Sequence, residues 1–343
     1  MSELRFEDVT IRFGSRRHGL TAVDCVDLTV PPGQVVGLVG ESGSGKTTLA
    51  RAAVGLTPVT GGRILLDGEP LRDRAGRHAR RRLQIVFQDP TSSLDPRMTA
   101  GESIAEAMPR DIRRSAASRT SETRRLLGLV ELATDVAGTY PAQLSGGQRQ
   151  RVALARALAG QPDVIIADEI TSSLDVSIQG TVLNLVRDLH RRLGLSMLFI
   201  SHNLAVVRYV SDIVAVMYLG QIVECGPADD VLQDPQHPYT RELLAAAPQP
   251  EAMVGHPRGM APALLDADLT ARAVSDAEPA DPHRPPPGCR FHPRCPIGPL
   301  VLAERDICRD AEPTGAGHLH RAACHFAHDA GAAPSTVDQP CRR

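Results

Sequence analysis

A lone lysine marks the part of the chain best suited to chemistry. The chain has 38 lysine and arginine residues; one is Lys46, which leaves 37 arginines, and it lies in the glycine-rich run Gly40 to Thr47. This run has the spacing G-x-x-x-x-G-K-[ST] between a predicted strand and a predicted helix, where backbone N–H groups cradle phosphates. A compact ammonium fits such a cradle better than a rigid planar guanidinium. The pattern predicts a phosphate-binding loop, with a glycine turn that binds nothing as the alternative.

The predicted loop gives a role to each of its polar groups. Lys46 is expected to reach the β- and γ-phosphate oxygens of a nucleotide, and Thr47 to bind Mg²⁺. The helix that follows points its positive N-terminal end at the phosphates. The loop residues expected to contact the nucleotide are Gly40, Ser42, Gly43, Gly45, Lys46, Thr47 and Thr48.

Two acids form a second candidate site at the end of an apolar run. Val164 to Ala167 reads as a buried strand, and Asp168 and Glu169 follow it directly. A buried parallel strand delivers such acids at its carboxyl end, where open α/β sheets bind ligands. Asp168 is expected to hold Mg²⁺, and Glu169 to act as general base on an attacking water. The alternative is a solvated acidic turn.

A third motif, Leu144 to Gln148, precedes the predicted helix Arg151 to Leu158. Ser145 can cap this helix, whose N-terminus then offers free N–H donors to an anion. On its own the motif predicts only a capped helix with a flexible approach. Together with the two preceding motifs it becomes highly specific.

The composition excludes several classes of protein. The chain has 343 residues, 42% hydrophobic and 23% charged, which is ordinary for a globular protein. Its net charge of -2 gives no basic field for nucleic acid. No apolar run reaches the ~20 residues that span a bilayer, and Met1 to Thr10 has no secretory signal. We therefore expect a cytoplasmic chain that meets a membrane only through a partner.

Predicted strands alternate with predicted helices, which indicates an α/β domain with a mainly parallel sheet. A hairpin or meander from Leu4 to Val30 comes first. The predicted domain spans residues 1–247, with a helical subdomain at about 89–159, followed by a proline-rich linker at 248–287 and a cysteine-rich extension at 288–343. The predicted central strands are Gln34–Val39, Leu83–Phe87, Val164–Ala167 and Ser196–Ile200, and the predicted helices include Thr47–Gly55 and Val182–Leu193.

Together these motifs resemble those of ABC transporter nucleotide-binding subunits, over about residues 4–245. The resemblance implies an ABC-type P-loop NTPase fold: a RecA-like core with an antiparallel β subdomain and a helical subdomain. Leu144 to Gln148 matches the signature motif of the family. The further matches are Gln88 for the Q-loop, Ser172 to Asp175 for the D-loop, His202 for the switch histidine and Phe13 for the aromatic residue that stacks on adenine.

The resemblance also implies how the site works. Two subunits meet head to tail, so the signature motif of one contacts the γ-phosphate held by the other. The implied catalytic residues are Glu169, His202 and Gln88, with Gln88 joining Thr47 and Asp168 at Mg²⁺. Ile170 stands where the family usually has proline, which puts the rate of hydrolysis in question. The implied nucleotide contacts outside the loop are Phe13, Gln88, Asp168, Asp175 and, across the dimer, Ser145, Gly146, Gly147 and Gln148.

Three segments resemble the narrower group of oligopeptide and dipeptide importers: Phe87 to Met98, His237 to Leu244 and Gly288 to Pro296. This implies an ATPase for peptide import that works with two membrane-spanning subunits, a second ATPase subunit and an extracellular solute-binding protein. A groove near Gln88 to Glu106 is expected to receive a helix of the membrane subunit. Nickel importers share part of the pattern and are the near alternative. A soluble ABC ATPase acting on ribosomes or DNA is the more distant one.

Four cysteines near the C-terminus form the last candidate site: Cys289, Cys295, Cys308 and Cys324. Their spacing, Cys-x5-Cys-x12-Cys-x15-Cys, fits neither paired zinc ligands nor a compact ferredoxin run. Spacing alone leaves zinc, an iron–sulfur cluster and free thiols open. The resemblance to the peptide importers implies a [4Fe–4S] cluster on these four residues, which would hold together a segment poor in apolar side chains.

Overall fold

Two β-sheets organise the protein in a computed structural model, which describes residues 1–14, 19–71, 82–89, 93–172, 174–246, 280–315 and 319–327, and of 176 and 177 the backbone only. Four strands form the first sheet, in the order β2-β1-β4-β5. They are β1 (Leu4–Phe13), β2 (Leu20–Val30), β4 (Gly61–Leu66) and β5 (Glu69–Pro70). All its pairings are antiparallel, so the hairpin predicted from Leu4 to Val30 is confirmed.

The second sheet has seven strands in the order β11-β10-β9-β3-β8-β7-β6. They are β3 (Val35–Val39), β6 (Leu83–Val86), β7 (Val164–Asp168), β8 (Ser196–Ile200), β9 (Ile213–Tyr218), β10 (Gln221–Pro227) and β11 (Arg321–Ala322). The pairings from β9 to β6 are parallel. The carboxyl ends of these strands therefore meet at one edge, as the alternation of strands and helices predicted.

Helices cover the parallel sheet and build a separate layer beside it. They are α1 (Lys46–Ala53), α2 (Ala100–Ala107), α3 (Arg110–Arg114), α4 (Ala116–Leu129), α5 (Gly146–Ala159), α6 (Val176–Leu193), α7 (Leu204–Val210), α8 (Ala228–Gln233), α9 (Pro238–Ala246) and α10 (Ile307–Asp310). Helices α2, α4 and α5 pack together as the predicted helical layer. Helix α6 begins six residues before the predicted Val182, because the polar residues of its first turns hide the apolar period.

Two clusters of buried apolar side chains lie on opposite faces of the parallel sheet. One joins that sheet to α1 and to the antiparallel sheet, and includes Phe6, Leu49 and Ile166. The other joins the sheet to the helical layer and includes Ile104 and Val152. Within the described ranges, no helix is both long enough and apolar enough to cross a membrane.

The cysteine-rich segment is attached to the core through its backbone. Strand β11 pairs antiparallel with β10, with Ala322 opposite Glu224. The Glu224 carboxylate, fully buried, accepts hydrogen bonds from the backbone N–H groups of Gln236 and His237 at 2.7 and 3.0 Å and lies 2.6 Å from His320 Nε2. One buried acid thus ties β10, the start of α9 and the approach to β11 together. The predicted linker at 248–287 falls mostly outside the described residues.

Candidate active site

The predicted phosphate loop connects β3 to α1, and its shape depends on glycine. Gly40, Gly43 and Gly45 have φ angles of 153°, 82° and 106°, a region that residues with a Cβ rarely adopt. A Cβ on Gly40 would lie 2.1 Å from the carbonyl oxygen of Met217, and one on Gly45 would lie 2.3 Å from that of Ala22. The loop can therefore follow this path only with glycine at both positions.

Lys46 fills the inside of this loop. Its Nζ donates to the carbonyl oxygens of Gly40 and Glu41 at 2.8 and 2.7 Å and to Ser44 Oγ at 3.2 Å. The residue is only 4% exposed. Burial lowers the pKa of the Lys46 ammonium, while the nearby charges of Glu169 and Asp168 oppose that shift. The inside of the loop, with its three acceptors, fits a compact ammonium, as the presence of lysine at this position predicted.

Asp168 faces the loop from the end of β7. Its Oδ1 accepts a hydrogen bond from Thr47 Oγ1 at 3.1 Å, and the residue is 2% exposed. Burial raises the pKa of Asp168, and the hydrogen bond from Thr47 opposes that shift. A hydroxyl and a buried carboxylate at one spot are the oxygen donors that Mg²⁺ prefers, so the two side chains fit a Mg²⁺ site.

Glu169 is held in an unusual backbone conformation beside Asp168. Its φ is 48°, in the left-handed region, and its N–H donates to the carbonyl oxygen of Ile200 at 2.9 Å. Such strain is found where surrounding structure fixes a functional residue. The Glu169 carboxylate lies 3.3 Å from His202 Nδ1, so the structure brings these two predicted catalytic residues together. Ile170 is fully buried.

The remaining predicted site residues lie on several different elements. Strands β6 and β7 pair with Val86 opposite Ala167, which places Gln88 at the carboxyl end next to Asp168, and its side chain is exposed. Phe13 ends β1 with 43% of its surface exposed. Asp175 is the N-cap of α6 and is exposed. Ser173, in the middle of the predicted D-loop, lies outside the described residues.

The signature motif starts α5 in the helical layer. Gln148 N–H donates to Ser145 Oγ at 3.2 Å and Ser145 N–H donates to Gln148 Oε1 at 2.9 Å, a capping box that confirms the predicted cap. A Cβ on Gly147 would lie 2.8 Å from Ile178 Cγ2, so glycine allows α5 to approach α6 closely. Among the described residues, no hydrogen bond joins this motif to Lys46 or Asp168.

The four C-terminal cysteines converge on one small pocket, which their spacing did not predict. Cys289, Cys295, Cys308 and Cys324 line it together with Phe291 and other residues. Burial raises the pKa of the Cys289 and Cys295 thiols to about 11 and about 12. Within the described ranges, however, no group of three or more His, Cys, Asp or Glu side chains is placed to hold a single metal ion.

Three nearby histidines contact groups other than the four thiols. His292 Nδ1 lies 2.9 Å from the carbonyl oxygen of Cys289, His325 Nε2 lies 2.9 Å from that of Ala311, and His320 pairs with Glu224. His318 lies outside the described residues. The possible metal donors that line the pocket are the four thiols and the imidazoles of His237, His292 and His325.

Sequence reasoning missed a set of contacts to the phosphate loop. Tyr239 and Arg294 both touch Glu41, the second residue of the loop. Each lies in a segment noted for its resemblance to peptide importers, but no local pattern pointed to a contact with the loop. Residues separated by 198 and 253 positions carry no spacing signal.

Lys46 in its glycine cradle, with Asp168 and Glu169 across the carboxyl edge of the sheet, defines a P-loop nucleoside triphosphatase. Comparison with known proteins narrows this class. Residues 23–172 match the family described as ABC transporter, and residues 223–298 match the one described as Oligopeptide/dipeptide transporter, C-terminal region.

Relatives cover most of the chain. A protein of Brucella ovis named for peptide import and ATP binding is 46% identical over 288 residues, which is 83% of this chain and 86% of the relative. One of Brucella abortus with the same description is 46% identical over 324 residues, 90% of this chain and 89% of the relative. The chain belongs to the ABC transporter family of ATP-binding proteins, in the group with the oligopeptide/dipeptide C-terminal region.

Solved structures agree on the fold. The ATP-binding cassette MJ0796, a dimer in a post-hydrolysis state bound to ADP and Pi, superposes with a TM-score of 0.59 at 29% identity, covering 66% of this chain and 98% of that one. CbiO1 of Clostridium perfringens, part of the ABC transporter complex cbiONQ, superposes with a TM-score of 0.58 at 26% identity, covering 67% of this chain and 90% of that one. The expected ABC ATPase fold is confirmed.

Proposed function

We propose that this chain is the ATP-hydrolysing subunit that powers import of peptides by an ABC transporter. The observation that carries the ATPase assignment is the convergence of Lys46, Asp168 and Glu169 at one edge of the sheet. The peptide assignment rests on the two Brucella relatives, whose names describe peptide import.

Each residue of the site has a distinct task. Lys46 and the loop N–H groups bind the phosphates of ATP, and the buried position of the ammonium strengthens that attraction. Thr47 and Asp168 would hold Mg²⁺ together with Gln88, and the ion would neutralise charge on the phosphates. Glu169 accepts a proton from the attacking water, and His202, 3.3 Å away, orients the Glu169 carboxylate and the γ-phosphate.

Two copies of the ATPase, identical or paralogous, would complete each other's sites. Ser145, the N-cap of α5, is exposed and makes no described contact with the Lys46 side of the site. A capped helix N-terminus that faces outward can bind the γ-phosphate held by a second subunit. ATP binding then closes the dimer, and hydrolysis reopens it.

The membrane partners would dock at a groove between β6 and the helical layer. Phe87, Glu106 and Arg156 are among the residues that line this groove. Arg156 donates to the carbonyl oxygen of Ser93 at 2.7 Å and pairs with Glu106 at 3.0 Å, so α5 is tied to α2 and to the segment that follows β6. Two transmembrane subunits, served by an extracellular solute-binding protein, would place the chain at the cytoplasmic face of the membrane.

Reconstitution tests this assignment. The ATPase, its two co-purifying membrane subunits and the cognate binding protein are placed in vesicles, and ATP turnover is measured with a peptide mixture or with Ni²⁺. We expect peptides to stimulate turnover and to accumulate in the vesicles. Stimulation by Ni²⁺ alone would make the chain a nickel importer ATPase, and failure to co-purify with any membrane protein would exclude transport.

The thiol pocket is proposed to bind a [4Fe–4S] cluster through Cys289, Cys295, Cys308 and Cys324. Four thiols from separate turns line one pocket, and the pairing of β11 with β10 holds that pocket against the core. Such a cluster would cross-link a segment with few apolar side chains. Anaerobically purified protein should absorb near ~400 nm and contain about four irons per chain. A colourless, iron-free protein that retains zinc would contradict the proposal.

A further inference from the structure

Two residues of the C-terminal half grip Glu41 in the phosphate loop. The Tyr239 hydroxyl accepts a hydrogen bond from Glu41 N–H at 2.8 Å, and Tyr239 is fully buried. The Arg294 guanidinium lies 3.2 and 3.3 Å from the two Glu41 carboxylate oxygens and also pairs with Glu242. The Arg294 side chain is only 8% exposed. Glu41 thus contacts a buried hydroxyl through its N–H and a buried guanidinium through its carboxylate. The same guanidinium also pairs with a second carboxylate.

The hydrogen bond from Glu41 N–H acts on a peptide group that Lys46 also uses. The Glu41 nitrogen and the Gly40 carbonyl belong to the same planar peptide unit. Lys46 Nζ donates to the Gly40 oxygen at 2.8 Å, and Tyr239 accepts from the nitrogen of that unit at 2.8 Å. Tyr239 therefore fixes the plane that presents an acceptor to the phosphate-binding ammonium, and hydrogen bonds in such a chain polarise one another.

A second arginine acts on the loop indirectly, through the turn at Leu219. The Arg290 guanidinium contacts the Asp24 carboxylate and the Leu219 carbonyl oxygen. The next residue, Gly220, donates its N–H to the Ser44 carbonyl oxygen at 2.9 Å, and Ser44 Oγ accepts from Lys46 at 3.2 Å. Arg290 thus acts on Ser44 through the turn at Leu219.

We propose that Tyr239, Arg294 and Arg290 are positioning residues that preorganise the phosphate loop, so that the C-terminal segment sets the affinity for ATP. The inference rests on the proposed ATPase function and adds a dependence on residues outside the nucleotide motifs. Without these contacts the loop would have to be ordered by ATP itself. The free-energy cost of that ordering would make the binding free energy of ATP less favourable. At saturating ATP the loop is already ordered, so the cost falls on affinity and not on kcat.

A purely structural role would give a different result. If these contacts only fix the C-terminal segment to the core, their loss lowers the unfolding temperature and leaves the ATP Kd of the folded protein unchanged. The decisive measurement is therefore the Kd for ATP on folded protein, with the unfolding temperature measured on the same sample.

The sharpest variant is Tyr239→Phe in the full chain, because it deletes one oxygen atom and keeps the ring. We expect a Kd for ATP about 2- to 10-fold higher, the range for a lost buried hydrogen bond, with kcat at saturating ATP within about twofold of the parent. Tyr209→Phe is the control, because its hydroxyl bonds to Asn184 on α6 and not to the loop, and it should leave the Kd unchanged.

A double-mutant cycle isolates the ion pair. Arg294→Gln and Glu41→Gln should each raise the Kd, and the double variant should raise it by less than the product of the two effects. Arg309→Gln removes an exposed ion pair with Asp306 from the same segment and should leave the Kd unchanged. If Arg294→Gln does not fold, Tyr239→Phe alone decides.

An unchanged Kd in Tyr239→Phe overturns the inference. A parent protein that binds no ATP overturns instead the proposed function on which the inference rests. The two failures are therefore distinguishable in a single set of titrations.

Discussion

The phosphate loop and the thiol pocket are built in opposite ways. The loop uses consecutive residues, Gly40 to Thr47, and places mainly backbone groups around Lys46. The pocket uses four side chains scattered over residues 289–324 and brings them together through turns and a short edge strand. A site made from one continuous segment carries its geometry in its spacing, whereas a site made from distant side chains does not.

The two regions nevertheless meet. Phe291 lines the thiol pocket and packs on Tyr239 with ring centroids 5.5 Å apart, and Tyr239 bonds to the loop. Arg294, which pairs with Glu41, immediately precedes Cys295. The phosphate loop, made from consecutive residues, is therefore held by contacts from the segment that forms the thiol pocket. Changes at the nucleotide site should strongly lower ATP turnover, while changes in the pocket should only weaken ATP binding.

The largest effect is expected from Glu169→Gln. The amide cannot accept the proton of the attacking water, so ATP turnover should fall about 10²- to 10⁴-fold, while ATP still binds and holds two ATPase subunits in a closed dimer. Phosphate release and size-exclusion chromatography with ATP measure both outcomes. Glu122→Gln, at an exposed pair with Arg125, is the control. Normal turnover in Glu169→Gln would exclude Glu169 as the base.

Lys46→Arg should come next. The guanidinium cannot reproduce three donated hydrogen bonds in a cradle where the lysine is 4% exposed. Loss of charge-assisted bonds of about 1.5–3 kcal/mol corresponds to about 10- to 100-fold weaker ATP binding. Because the partner's signature motif is proposed to complete each site, turnover of the whole dimer should fall as well. Arg51→Lys, exposed on α1, should be neutral, and normal turnover in Lys46→Arg would contradict the steric argument.

Much of the fold and most of the loop follow from sequence for a physical reason. Alternating and continuous apolar runs predict strands β1, β2, β3, β7 and β8, since burial acts on each strand separately. The Lys46 loop and the Asp168–Glu169 pair are each made of consecutive residues, so their spacing predicts them. Strand β11 has two residues and pairs with β10 about 100 positions away, so no periodicity predicts it. Tyr239 and Arg294 reach Glu41 only once the chain has folded.

Cys295→Ser should have a smaller effect on ATP turnover than Glu169→Gln and a smaller effect on ATP binding than Lys46→Arg. Loss of one thiol frees the segment that carries Arg294, so backbone amides of residues 289–310 should exchange hydrogen faster, and iron bound in the proposed cluster should be lost. The Kd for ATP should rise by no more than about 10-fold, the limit for losing one of the loop contacts. Cys225→Ser, a free cysteine on β10 outside the pocket, is the control. Faster hydrogen exchange with an unchanged Kd for ATP would show that the thiol pocket does not influence ATP binding at the loop.

The smallest effect on turnover is expected from Ile170→Pro, which restores the residue usual in the family. Glu169 is fixed without it, because its N–H bonds to Ile200 and its carbonyl accepts from Ser172 Oγ at 2.9 Å. Turnover should therefore stay within about twofold of the parent. Ile170 is fully buried, so loss of its methyl groups should cost about 1 kcal/mol of stability, as should Ile170→Val. A tenfold change in turnover, with equal stability loss in both variants, would mean that position 170 sets the Glu169 geometry.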